Sequence, residues 1–312
     1  MTTAVPVRVL YVGGVPRSGS TLADLLLHQL SGHVGVGELF YLWNNCLLHD
    51  DLCSCGRRFS ACEFWEAVGR QAFGGWESVD AAEVIRLQSI VDKTTAIPLL
   101  LSPYRPKAFQ AALDTYSEIL LRLYRAIATL SEASVVVDSS KRASMAFVLR
   151  TMGSVDLRVV QVVRDPRGVA FSFAKHVPLQ PGVAVGSEMP RSTARKVSRR
   201  WVTVNALVAS LGRLGVPLIR IRYEDLVKSP AQQLRRVLEL EGFPSHAGDF
   251  DFLQADGVTL PQTHAVASGR IRLSSGTVSL QVDDVWRRDM PKPTRRMVSA
   301  ITSPLRRRYG YQ

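Results

Sequence analysis

The sequence predicts an α/β fold: a single domain built on a mostly parallel sheet with helices on both faces. Three observations carry this. Short apolar runs rich in Val, Leu and Ile recur at 7–12, 135–137, 157–163 and 218–223, as the strands of a buried sheet do. Helical segments separate them. The clearest covers 108–130, where Phe109, Ala112, Leu113, Tyr116, Leu120, Leu123, Tyr124 and Ile127 repeat at three- and four-residue steps and form one apolar stripe. Finally, each run ends on glycine, polar or charged residues, so the strand ends should converge on one crevice, where ligands of such folds sit.

Taken in order, the first strand is closed by Gly13 and Gly14, and a helix follows from about 20 to 30. Residues 31–76 read as irregular, punctuated by Gly and Cys, with a Cys-rich insertion at about 44–66. After the long helix, the strand at 135–137 ends at Asp138 and the one at 157–163 ends at Arg164. Residues 177–194 hold three prolines and no periodicity, which reads as a surface loop beside the site, either a lid or a plain connection. The strand at 218–223 runs into Glu224 and Asp225. Ser229 then caps a helix that opens on Pro230 and stops at Gly242 and Pro244.

Composition limits the function. The 312 residues are 46% hydrophobic and 21% charged, values of an ordinary globular protein and too apolar for a disordered chain. No run of apolar residues is long enough for a transmembrane helix, so stable membrane insertion is not expected. The start, MTTAVPVRVL, has no signal-peptide pattern, and a cytoplasmic protein is the expectation. Thirty-nine basic residues against 27 acidic ones leave a net charge of +12, which favours anionic partners. The charge clusters at Arg195, Lys196, Arg199 and Arg200 and again at Arg306, Arg307 and Arg308, the second reading best as a solvated tail. A basic module for nucleic acid or an anionic membrane would rest on this charge alone. No nucleic-acid motif accompanies it, and no nucleic-acid partner is expected.

The first strand runs into Gly14-Val15-Pro16-Arg17-Ser18-Gly19-Ser20-Thr21. This fits the P-loop pattern G-x-x-x-x-G-K-[ST] in both glycines and the final hydroxyl, but Ser20 stands in place of Lys. A turn of inward-facing amides followed by a helix N-terminus makes an anion site. Without the Lys that reaches β- and γ-phosphates, the loop is poorly equipped to move a γ-phosphate. Arg17 brings a charge from another direction and suits a singly bridged anhydride such as a phosphosulfate. The alternative on such a loop is a small-molecule kinase binding ATP and Mg²⁺, with Asp138 at the end of VVVD holding the metal.

Arg164, after a buried strand, can pair bidentately with a phosphate, and Ser172 lies two helical turns on. Pairing of Arg164 or Arg167 with Asp165 is the competing structural role.

In these motifs the chain resembles the sulfotransferases that use 3′-phosphoadenosine 5′-phosphosulfate (PAPS). VPRSGSTL at 15–22 looks like their 5′-phosphosulfate loop. VVRDPRGVAFS at 162–172 looks like their 3′-phosphate motif, an Arg and a Ser eight residues apart. RYEDL at 222–226 and the segment from His264 to Trp286 resemble later landmarks, although Ser268-Gly269-Arg270 replaces the family's usual Gly-Asn-Pro. The resemblance implies PAPS as donor, held by Arg17, Ser18, Gly19, Ser20, Thr21, Arg164, Ser172, Tyr223, Gly269 and Arg270. It implies sulfuryl transfer in line to a hydroxyl or amine of a small-molecule, glycan or lipid acceptor. Glu38, in HVGVGELF, matches the general base of the carbohydrate and tyrosyl-protein branch, and burial beside a pocket would raise its pKa. His28 and His33 are rivals by analogy with members that use His. Arg17 would neutralise the leaving phosphate, so no metal is required. Lys141 or Ser140 would stabilise the sulfonate, and Trp286 would pack on adenine or fill the core.

All four cysteines, Cys46, Cys53, Cys55 and Cys62, fall in the insertion, and CSCGRRFSACEFW resembles a Cys-rich insertion of related members. The spacing lacks the C-x-x-C pairs of ordinary zinc sites, and a reducing compartment argues against disulfides. Zinc, disulfides and free thiols remain open.

Overall fold

The computed structural model describes residues 5–175, 191–246, 248–254, 257–266 and 276–312. Most of the expected lid, together with Gly269 and Arg270, lies outside the described residues.

The main sheet is formed by β1 (Val7–Gly14), β2 (His33–Gly35), β3 (Val135–Lys141), β4 (Val155–Val163) and β5 (Leu218–Arg222). All neighbours are parallel, in the spatial order β2-β3-β1-β4-β5. Side chains of β1 alternate between two apolar layers. Val9 and Tyr11 enter one and Leu10 and Val12 the other, which covers both faces of the central strand.

Twelve helices flank this sheet among the described residues: α1 (Ser20–Leu27), α2 (Glu63–Phe73), α3 (Ala81–Val91), α4 (Ile97–Leu101), α5 (Lys107–Leu130), α6 (Ala143–Thr151), α7 (Pro166–Ala174), α8 (Ala194–Arg213), α9 (Tyr223–Lys228), α10 (Pro230–Glu241), α11 (Trp286–Asp289) and α12 (Lys292–Arg308). The layer on the Val9 side is built from α2 to α6 with part of α8, and the layer on the Leu10 side from α1, α9 and α10. A third cluster joins α7, α8, α11 and α12 around Trp201 and Trp286. Trp286 is thereby a core residue. The chain crosses from β1 to the β2–β3 side, then to the β4–β5 side. The carboxyl end of β1 is the point where the order reverses, which is where ligands of such sheets bind.

The structure differs from expectation in five places. Residues 31–76 are not irregular throughout. Strand β2 is three residues long, too short to show a period. The stripe of α2, with Trp65, Val68, Gly69 and Ala72 buried, is broken to the eye by its glycine. Tyr223 opens α9 rather than ending a strand. Ser229 occupies the N-cap of α10, but its side chain makes no capping bond; Pro230 and a left-handed Gly242 do delimit that helix. Finally, β6 (Leu253–Gln254), β7 (Gly257–Leu260) and β8 (Gly276–Ser279) form a separate antiparallel sheet. Arg306 is also buried rather than solvated, donating to the carbonyl of Tyr311.

Candidate active site

The loop between β1 and α1 has the backbone its glycines demand. Gly14 has φ +151°, and a Cβ there would lie 2.3 Å from the carbonyl oxygen of Val162 on β4. Gly19 is the N-cap of α1 in the left-handed region, φ +89°. No side chain caps this helix and no acidic residue lies in its first turn, so its positive end is left for an anion. The Ser18 hydroxyl is buried and has no hydrogen-bond partner among the described residues, an orphan that an anionic ligand would satisfy. Arg17 adopts φ +70°, a strained value for a residue with a Cβ and one that recurs at functional sites. Its guanidinium sits 5.0 Å from the ring centroid of Phe173 on α7 and has no carboxylate partner among the described residues.

A second group sits at the end of β3. Lys141 is paired in register with Gly13, which places it beside the start of the loop. It too is left-handed, φ +67°. Its ammonium donates to Glu38 Oε1 at 2.6 Å, with both side chains about nine-tenths buried. The segment carrying Glu38 is fixed from two sides. Ser139 N donates to Gly37 O at 2.7 Å and Phe40 N to Ser140 Oγ at 3.0 Å, while Glu38 N donates to Val266 O at 2.9 Å. Glu38 is therefore held beside the start of the loop by its ion pair with Lys141 and by its backbone bonds.

The third group reads from β4 and β5. Arg164, buried, donates through Nη1 to Arg17 O at 3.2 Å and through Nη2 to Asp283 O at 2.7 Å. Its charge also meets Asp283 Oδ2 at 3.0 Å, and its guanidinium lies 4.7 Å from the centroid of Tyr223. Burial opposes ionisation of Asp283, but the hydrogen bond and charge of Arg164 outweigh it and hold its pKa below the usual carboxylate value. The Tyr223 ring is wedged between Arg164 and the loop, since a Cβ on Gly19 would come 2.5 Å from its Cδ2. The backbone of Asp283 donates to the Tyr223 hydroxyl at 3.4 Å. Arg167, by contrast, is the structural partner of Asp165, with Nε to Oδ1 at 2.8 Å, and so leaves Arg164 to the loop.

Three expected roles are corrected. Asp138 cannot serve Mg²⁺ in the manner of an ATPase: it is fully buried, with Oδ2 accepting from Tyr124 and Oδ1 from Ser140. Ser140 is consumed by that bond and by Phe40, and is not free for a sulfonate. His28 Nδ1 accepts from Gly35 N at 2.9 Å, and His33 Nε2 lies 2.7 Å from Glu241 Oε2 in the interior; both histidines serve the fold. Ser172 lies half-buried on α7, and no hydrogen bond joins it to Arg164 among the described residues. Ser20 is buried at the head of α1, followed by half-buried Thr21. Sequence reasoning missed Asp283, Phe173 and Asp24. Burial, with the charge of Asp138 adding to it, pushes Asp24 up to about 7. A buried Asp one turn into a loop-borne helix was the available signal for Asp24; Asp283 had none.

Gly19→Ala is expected to abolish anion binding at the loop and to destabilise the fold by about 1–3 kcal/mol, because it forces a Cβ into Tyr223 at a left-handed φ. Calorimetry with 3′-phosphoadenosine 5′-phosphate and a melting curve would read both effects. An Ala variant that binds like the parent would place the anion elsewhere.

Comparison with known proteins places this geometry. Residues 10–247 match the family model described as the sulfotransferase family. Carbohydrate sulfotransferase 3 of Homo sapiens is 29% identical over 169 residues, covering 51% of this chain and 34% of that protein. The Mus musculus protein of the same name is 27% identical over 168 residues, with the same coverage. The chain thus spans about a third of the length of these relatives. In fold it is similar to the sulfotransferase domain of the Synechococcus PCC 7002 olefin synthase, with a TM-score of 0.54, 17% identity and coverage of 100% and 98%. It is also similar to the sulfotransferase domain from the curacin biosynthetic pathway, with a TM-score of 0.52, 19% identity and 99% coverage of both chains. With the family model matching residues 10–247, more than two thirds of its length, the chain belongs to the sulfotransferase family.

Proposed function

We propose that this chain transfers a sulfuryl group from PAPS to a hydroxyl or amine of a small-molecule, glycan or lipid acceptor, in line and without a metal in the transfer. The observation that carries the reading is the adjacency of two anion sites. The loop around Gly19 and the Arg164 guanidinium are bridged by the Arg17 carbonyl and the Tyr223 ring. A donor with phosphosulfate at one end and a 3′-phosphate on its ribose matches that pair of sites. The orphaned Ser18 hydroxyl and the Arg17 charge, which has no carboxylate partner among the described residues, fit its phosphosulfate end. When bound, PAPS supplies the activated sulfuryl group and leaves as 3′-phosphoadenosine 5′-phosphate (PAP).

The chain's own residues would do the rest. Glu38 takes the proton from the acceptor nucleophile as the new bond forms. Lys141, bonded to Glu38 and next to Gly13, holds positive charge where the sulfonate oxygens gather. Arg17 meets the charge that develops on the leaving phosphate. Ser20, Thr21, Ser172, Gly269 and Arg270 complete the donor site in this proposal. A reducing, cytoplasmic setting belongs to it as well, and the four cysteines are all free of disulfides.

The test is direct. The chain is incubated with PAPS and a panel of phenols, sugars, lipids and amines, and products are read by mass spectrometry. Acceptor-dependent sulfation with release of PAP supports the reading. Transfer of phosphate from ATP instead would replace it with the kinase.

A further inference from the structure

Cys53, Cys55 and Cys62 meet His264, more than 200 residues away in sequence, with one ligand atom of each within 4.8 Å of all the others. The fourth cysteine, Cys46, is buried in the core and stands outside this group. Of the alternatives left open for these cysteines, three thiols and an imidazole converging favour a metal, and we propose that these four side chains form a structural zinc site.

Four of the six edges between the donor atoms match a coordination tetrahedron, and the remaining two are within 4.8 Å. With Zn–S near 2.3 Å and Zn–N near 2.0 Å, tetrahedral edges are about 3.8 Å between sulfurs and about 3.5 Å from sulfur to nitrogen. The observed edges are 3.7 Å for Cys53–Cys62, 3.7 Å for Cys55–Cys62, and 3.8 and 3.2 Å from Cys53 and Cys62 to His264 Nδ1. No sulfur pair approaches the roughly 2.05 Å of a disulfide. Three thiolates and one imidazole are a donor set that selects a soft, tetrahedral ion.

The surroundings hold the donors in place before any ion arrives. Cys53 and Cys55 sit on a tight hairpin, closed by Gly56 N to Cys53 O and by Cys53 N to Arg57 O, both 2.9 Å. Cys62 is the N-cap of α2, where the helix's positive end favours a thiolate. His264 is stacked on Phe64 with centroids 4.9 Å apart, and its carbonyl accepts from Trp65 Nε1 at 2.8 Å. Its Nδ1 faces the sulfurs, and the other ring nitrogen then carries the proton.

The site would tie the insertion to the segment that carries His264 and Val266. Ser54 already bonds to this segment through Thr263 Oγ1 and Ala265 N, each at 2.7 Å. Val266 O in turn holds the backbone of Glu38. Zinc would therefore act on position and stability and take no part in sulfuryl transfer. Each bound ion displaces the thiol protons of Cys53, Cys55 and Cys62, so binding weakens as pH falls.

The experiment is elemental analysis of the full chain purified under reducing conditions, without added metal. About one zinc per chain is expected. A thiol-specific mercurial should release it, Cys46→Ser should retain it, and Cys62→Ser should lose it. Should Cys62→Ser fail to fold, Co²⁺ titration of the chelator-treated parent gives the same answer through the visible bands of a tetrahedral cobalt thiolate. A folded parent with no bound zinc and no such bands, or a disulfide among these cysteines found by peptide mapping, would overturn the proposal. None of these readouts depends on sulfotransferase turnover.

Discussion

Replacement of Glu38 by glutamine is expected to lower turnover by about 10²–10⁴-fold, the range of a lost general base, with PAP affinity unchanged. The amide keeps the shape of the side chain, and its oxygen still accepts from Lys141, so the buried ammonium is not left unpaired. The capacity to take a proton is lost, together with the negative charge that faces Lys141. Rapid-quench kinetics with PAPS and calorimetry with PAP separate the two quantities. A Gln variant with parental turnover would remove Glu38 from its role, and the Lys141–Glu38 pair would then be an element of the fold. Because the pair joins the end of β3 to the segment after β2, a melting curve on the same variant checks that the fold survives.

Arg164→Ala should act on the other quantity. Truncating one partner of a buried charged hydrogen bond costs about 2–5 kcal/mol, so PAP binding should weaken by about 30- to 5,000-fold. Arg167→Ala is the matched control. Its guanidinium pairs with Asp165, reaches the carbonyl of Gln312 and packs 4.6 Å from Trp286, so it should lower the melting temperature with little change in PAP affinity. Equal losses of affinity in the two variants would mean that Arg164 acts through the fold alone.

Much of this was legible in the chain. The four long strands, the 108–130 helix and the Gly14–Thr21 loop could be read because each obeys a local rule: apolar runs, a 3.6-residue period, fixed glycine spacing. The pairing of Arg167 with Asp165 was foreseen as a possibility, and the structure assigns it to Arg167 and not to Arg164. What could not be read was tertiary. Nothing local in the chain announces that Lys141 meets Glu38 across 103 positions, or that Asp283 closes on Arg164. His264 was visible as part of a resemblance. Its company with Cys53, Cys55 and Cys62 depends on the bridge between Gly37 and Val266. The left-handed backbones of Arg17 and Lys141 were likewise hidden, since no residue type signals them.

The central claim is that the loop around Gly19 and the guanidinium of Arg164 grip two separate anions of one nucleotide. Titration calorimetry of the parent chain with PAP, repeated with ATP and with and without Mg²⁺, addresses it most directly. The account predicts saturable PAP binding of equal strength in the presence and absence of Mg²⁺, and no binding of ATP. Mg²⁺-dependent binding of ATP, with PAP giving no heat, would contradict it.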